Sequence, residues 1–149
     1  MNAVLDASVI VAAVVSAHPH HAWARERLEE ALTGQISGFV SVATMAEAFH
    51  LLTALPTRPR IRPRQARHLV DENLRDLSMI PVRARDWRAA LSRATDRGLS
   101  GDAIWGALVA EGALGAGADA LLTLDGPRAA RLGEDVAELV RGPTDPSSG

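Results

Sequence analysis

Apolar and polar positions along the chain follow a strand–helix rhythm. The run Ala3-Val4-Leu5 is short and apolar, stops at Asp6, and gives way to a longer apolar stretch through Val15. A short apolar run closed by a polar residue reads as a buried strand, and a longer one with helical spacing as a helix. On this basis residues 4–5 form a strand and 8–16 a helix. A second helix spans 20–32, with Trp23, Leu28, Ala31 and Leu32 inward and Arg25, Glu26, Glu29 and Glu30 outward. Residues 39–42 read as a strand, followed by a helix to about 55 with Met45, Phe49 and Leu52 on one stripe. Further on come a helix over 64–77, a strand over 79–82, a helix over 84–97 and a long helix to about 114, with Ser100 as its N-cap. The last elements are a strand over 120–124, a turn at Asp125-Gly126-Pro127 and a short strand over 136–140. Strands alternating with helices predict an α/β fold. Residues 1–141 are expected to form a single domain, and 142–149 a flexible polar tail.

Composition narrows the chemistry. At 149 residues the chain has the length of one domain, and 47% apolar content fits a packed core. A formal charge of −2 does not by itself announce a nucleic-acid binder. Without cysteine there is no disulfide framework and no thiolate metal site. The apolar run 9–17 is too short to span a bilayer and lacks a positive segment before it, so a cytoplasmic protein is expected. All 16 basic residues are arginine. The absence of lysine excludes a P-loop, and the glycines at 112, 115 and 117 precede a strand instead of following one.

Acidic residues recur where strands end and helices begin. Asp6 closes the first strand, at the edge where parallel α/β sheets place their ligand crevices. Ser8 fits a helix cap, and so does Asp6 itself. Glu47 falls in the early turns of its helix, either as a ligand or as the far end of a capping box with Thr44; His50 shares its face. Asp102 is placed in a first helical turn, where dipole stabilisation is the purely structural reading. Asp119 and Asp125 bracket the 120–124 strand at opposite edges of the sheet. Only Asp125 shares an edge with Asp6, and Thr123 shares the face of Asp125. Oxygen-only ligands without cysteine suit Mg2+ or Mn2+. The loop over 56–64 carries Arg58, Arg60, Arg62 and Arg64, which fit either phosphate contacts or a solvated loop. His18, His20 and His21 read as a loop and helix start rather than a metal site.

In order, Val4-Leu5-Asp6-Ala7-Ser8, Ser41-x-x-Thr44-x-x-Glu47, Leu99-Ser100-Gly101-Asp102-Ala103 and Leu122-Thr123-Leu124-Asp125 resemble the acidic motifs of PIN-domain ribonucleases. Length and the His18-Pro19-His20-His21 loop resemble the VapC-type toxins of toxin–antitoxin pairs. Gly101 stands where that family usually has an aromatic residue, His50 where many members carry arginine, and the interval from Asp102 to Asp125 is longer than usual. The resemblance implies a three-layer α/β/α fold around a parallel sheet of about five strands. It also implies Mg2+- or Mn2+-dependent RNA cleavage leaving 5′-phosphate and 3′-hydroxyl ends, homodimers, and inhibition by a VapB-type antitoxin. Asp6, Glu47, Asp102 and Asp125 would then be catalytic metal ligands, with Ser8 and Thr123 orienting them from behind.

Two other classes compete. An aspartate-based phosphohydrolase or receiver domain also places Asp at a strand end. Here Ser8 occupies the second position of D-x-D, and the lysine those proteins use is missing. A catalytically silent PIN-like binding module would keep the fold and lose the metal. The apolar positions Val14, Val15, Trp23 and Leu51 fit either a groove for a partner's amphipathic helix or the chain's own packing.

Overall fold

A computed structural model of the chain describes residues 1–143. Its five strands are β1 (Asn2–Leu5), β2 (Ser37–Ser41), β3 (Ser78–Ile80), β4 (Ala120–Leu122) and β5 (Val140–Arg141). They form one all-parallel sheet in the order β3-β2-β1-β4-β5. Parallel strands need crossovers, and helices supply them. These are α1 (Ala7–Val14), α2 (His21–Leu32), α3 (Val42–Ala54), α4 (Pro63–Leu74), α5 (Ala84–Asp96), α6 (Ala103–Gly115), α7 (Gly126–Ala130) and α8 (Glu134–Ala137).

Side chains alternate across β1, so Ala3 and Leu5 enter one core while Val4 enters the other. The first core packs Ile10, Leu28, Leu52 and Leu74 from α1–α4 against one face. The second packs Ala90, Val109, Leu132 and Val136 against the opposite face. The result is the expected three-layer α/β/α arrangement. Val14, Val15, Trp23 and Leu51 are partly buried against the first core. Gly38 lets α2 lie close to β2: a methyl group there would come within 2.4 Å of Ala31 Cβ. Arg93 ties α5 to α6 through Glu111 (2.6 Å), and to the end of the chain through the Leu132 carbonyl (2.9 Å) and Asp135 (2.9 and 3.0 Å).

Several predicted boundaries move. Val42 belongs to α3, because Ser41 Oγ accepts the Ala43 N–H at 3.1 Å and starts the helix one residue earlier. Thr44 therefore lies inside α3, buried, and is not the cap of a Thr44–Glu47 capping box. The helix predicted over 64–77 starts at Pro63, where a missing N–H costs nothing, and ends at Leu74. Ser100 does not cap α6: Asp102 is the N-cap residue and Ala103 the first helical one. The strand predicted over 136–140 begins as the end of α8, with Val136 fully buried inside that helix, passes through a turn at 138–139, and becomes β5 only at Val140. Asp125-Gly126-Pro127 opens the short helix α7 instead of a simple turn. Of the predicted tail, Gly142 is buried and a Cβ there would lie 2.9 Å from the Thr123 carbonyl oxygen; residues 144–149 lie outside the described residues.

Candidate active site

β1 is the switch point of the sheet. From it the chain proceeds outward through β2 and β3 on one side, and returns to β4 and β5 on the other. Crevices form beyond the carboxyl ends of strands at such a point. A cleft of about 250 Å3 opens there, and its walls include Asp6, Ser8, Glu47, Asp102, Thr123, Asp125 and Arg128. All four acids singled out in the sequence meet in it. Asp119 does not: at the opposite edge its Oδ2 accepts the Asn2 N–H at 2.8 Å. His50 is exposed on α3 and outside the cleft walls, as are Arg58, Arg60, Arg62 and Arg64, which are exposed on the loop and at the start of α4.

Asp6 leaves β1 and caps α1. Its Oδ1 accepts the N–H groups of Ser8 (2.9 Å) and Val9 (3.3 Å) and the Ser8 hydroxyl (2.5 Å). Asp6 and not Ser8 is thus the cap. Ser8 Oγ in turn accepts the Leu124 N–H at 3.0 Å, which ties the start of α1 to the segment after β4. Thr123 is buried; its hydroxyl bonds Asp6 and accepts the Asp125 N–H at 3.2 Å. Burial pushes the Asp6 carboxyl above its ordinary range, and the Ser8 and Thr123 hydroxyls and the two amides partly offset this.

Glu47 enters from α3, half-buried. Burial first, then the negative charges of Asp6 and Asp102, push its carboxyl up to about 7, against an opposing pull from Arg128. Asp102 stands at the head of α6, after Gly101 at φ 61°. Glycine adopts that left-handed conformation without steric cost, so the chain can turn sharply into the helix. The Asp102 side chain makes no capping bond; it pairs with the Arg128 guanidinium. Asp125 caps α7, its Oδ1 accepting the Arg128 N–H at 3.1 Å.

Like charges gathered in one cleft disfavour ionisation, and a hard divalent cation relieves that conflict. The oxygen-only donor set fits such an ion. As the side chains stand, no group of three His, Cys, Asp or Glu among the described residues is arranged to hold one. That applies to His18, His20 and His21 too; the His21 ring nitrogen lies 2.8 Å from the Ala12 carbonyl, and α2 begins at His21. Sequence reasoning did not single out Arg128. The signal was available: an Asp cap followed by Gly-Pro opens a helix, and places the next residue in its first turn.

The family model of the PIN domain matches residues 3–127. No curated protein matches the sequence. Solved structures that share the fold include VapBC2 and VapC20. The crystal structure of VapBC2 from Rickettsia felis, bound to a DNA fragment from its promoter, is similar at TM-score 0.67 and 17% identity, covering 95% of this chain and 98% of that one. The Mycobacterium tuberculosis VapC20, described as a Sarcin-Ricin loop cleaving toxin, is similar at TM-score 0.68 and 16% identity, covering 86% and 93%. With four acidic side chains lining one switch-point cleft and the family match running through nearly all the elements that form it, the chain belongs to the PIN domain family.

Proposed function

We propose that the protein is a Mg2+- or Mn2+-dependent endoribonuclease that acts as a VapC-type toxin. The observation that carries this reading is the convergence of Asp6, Glu47, Asp102 and Asp125 on one cleft, with Glu47 raised to about 7 by burial and its acidic neighbours. These four would hold the metal. When bound, such an ion activates water and stabilises charge on the leaving oxygen of a phosphodiester. Ser8 and Thr123 fix the direction of the Asp6 carboxylate through hydroxyl bonds, as groups behind a metal ligand do. The description of the Mycobacterium tuberculosis structure as a loop-cleaving toxin supports RNA as the substrate, and VapBC2 supports a VapB-type antitoxin as partner. A homodimer is part of the same reading.

Purified protein incubated with structured RNA is expected to cleave it with Mg2+ or Mn2+, and to stop in EDTA. Adding the product of an adjacent antitoxin gene is expected to suppress cleavage. Equal cleavage in EDTA would remove the metal from the reading, and no cleavage under any condition would favour a silent binding module.

The Asp125 and Asp119 positions make separate predictions. Asp125→Ala is expected to weaken Mn2+ binding in calorimetric titration, because Asp125 lines the cleft. Asp119→Ala is expected to leave it unchanged, because its carboxylate is spent on the Asn2 amide at the far edge. The reverse pattern would place the metal elsewhere.

Arg58, Arg60, Arg62 and Arg64 are exposed, and their side chains form no ion pair among the described residues. We assign them to RNA phosphates. Replacing all four with alanine is expected to weaken RNA binding across sequences and to flatten its salt dependence, since each lost contact removes released counterions. An unchanged salt slope would return the loop to simple solvation.

A further inference from the structure

A cation already sits among the acids of the cleft. Arg128 occupies the first turn of α7; its backbone is anchored by Asp125 and its guanidinium pairs with Asp102. Asp102 lines the same cleft as Asp6 and Glu47. The guanidinium also acts on Glu47 and Asp125, so its field covers most of the acidic wall. The side chains of Arg128 and Asp102 are 50% and 71% exposed. A pair this open to water adds only modest stability, and its effect falls on the acids around it. Its consequence is local: Asp102 is engaged by Arg128, and among the described residues no three acids stand as a ready cage.

We propose that Arg128 is the resident counterion of the cleft, holding Asp102 while no divalent cation is bound and having to release it before one can be held. The inference rests on the metal-dependent reading above. A guanidinium cannot lose its proton at any relevant pH, so the cleft is cleared only by a swing of the side chain. The tether at Asp125 keeps the Arg128 backbone at the rim while its head group leaves. Metal affinity is then lowered by the fraction of molecules in which Arg128 still occupies Asp102. Lysine keeps the charge but is a compact, strongly hydrated and flexible ammonium, so it would hold Asp102 less firmly.

The test is calorimetric titration of Mn2+ into the full chain and its Arg128→Gln and Arg128→Lys variants, at pH 8 and without RNA. Arg128→Gln is expected to bind Mn2+ roughly three- to ten-fold more tightly than the unmodified chain, a range set by the modest worth of such a charged hydrogen-bonded pair. Arg128→Lys is expected to fall between, and to serve alone if the glutamine variant does not fold by circular dichroism. Thermal melting gives a second readout. Arg128→Gln is expected to melt lower than the unmodified chain in EDTA and level with it in saturating Mn2+. Unchanged or weaker Mn2+ binding in both variants, with normal binding by the unmodified chain, would overturn the counterion role and leave the nuclease reading standing. Absence of Mn2+ binding in all three proteins would overturn both.

Discussion

Asp6→Asn is expected to lower RNA cleavage at least about 100-fold while the fold survives. Even groups that only support a metal ligand are worth about 10–100-fold, and in the proposed reading Asp6 is a ligand itself. The substitution separates its two roles. As a helix cap, Asp6 uses one oxygen, Oδ1, for the Ser8 and Val9 amides and the Ser8 hydroxyl. An asparagine carbonyl can accept all three, and asparagine caps about as well as aspartate. What disappears is the negative charge. Removing it also relieves Glu47, whose carboxyl is pushed up partly by Asp6. The variant is therefore expected to melt in EDTA at the same temperature as the unmodified chain, or slightly higher. Cleavage rates and melting curves on the same preparation check both halves. If cleavage fell only in proportion to a loss of folded protein, Asp6 would be a cap and nothing more.

Without metal, the protein is expected to be less stable at pH 8 than at pH 5, and saturating Mg2+ or Mn2+ is expected to offset that loss. Glu47 has an ordinary value of 4.5 and a folded value of about 7. Between these limits the folded chain holds a proton that the unfolded chain has released, so stability falls as pH rises through the window. The contribution is complete below about pH 4.5 and gone above about pH 7. For one half-buried carboxyl the swing is on the order of 1–3 kcal/mol, or several degrees in melting temperature for a chain of this size. Asp6, also raised by burial, adds in the same direction. Glu47→Gln is expected to flatten the dependence in EDTA. A metal-free protein that grew more stable across the same window, in a way abolished by that variant, would contradict the electrostatics assigned to the cleft.

The alternation of elements was legible because each strand is a short apolar run and each helix a longer one. The α/β class followed from that alternation; the all-parallel sheet was implied by the resemblance to PIN-domain ribonucleases, and the shared edge of Asp6 and Asp125 by their places at strand ends. Element ends were less legible where polar and apolar signals disagreed. Val42 is apolar and continues the β2 run, yet it is 41% exposed in the first turn of α3, because Ser41 caps the helix. Val136 looks like a strand residue and is buried in α8, where Arg93 and Asp135 hold the short helix in place. Ser100 has the right chemistry for a cap, but the left-handed turn at Gly101 delays the helix until Ala103. The sequence could place Arg128 in a first helical turn after Asp125, but not beside Asp102, its partner, which is distant in sequence. Only the return of the chain after β4 brings them together.

The central position of β1 orders events in time. Its first partner, β2, is close in sequence, but β4 pairs with it only after most of the chain has been made: the contact between Asn2 and Asp119 spans 117 residues, and the Leu124–Ser8 bond 116. Long-range parallel pairing is slow to form, because a large loop must close before the contacts that stabilise it exist. During synthesis, Asp6 and Glu47 emerge early and Asp125 late. A chain still on the ribosome therefore has half a cleft, and the acids come together only once β4 docks beside β1. On the proposed reading, the acidic cleft exists only after the segment through Asp125 has been made and β4 has docked beside β1.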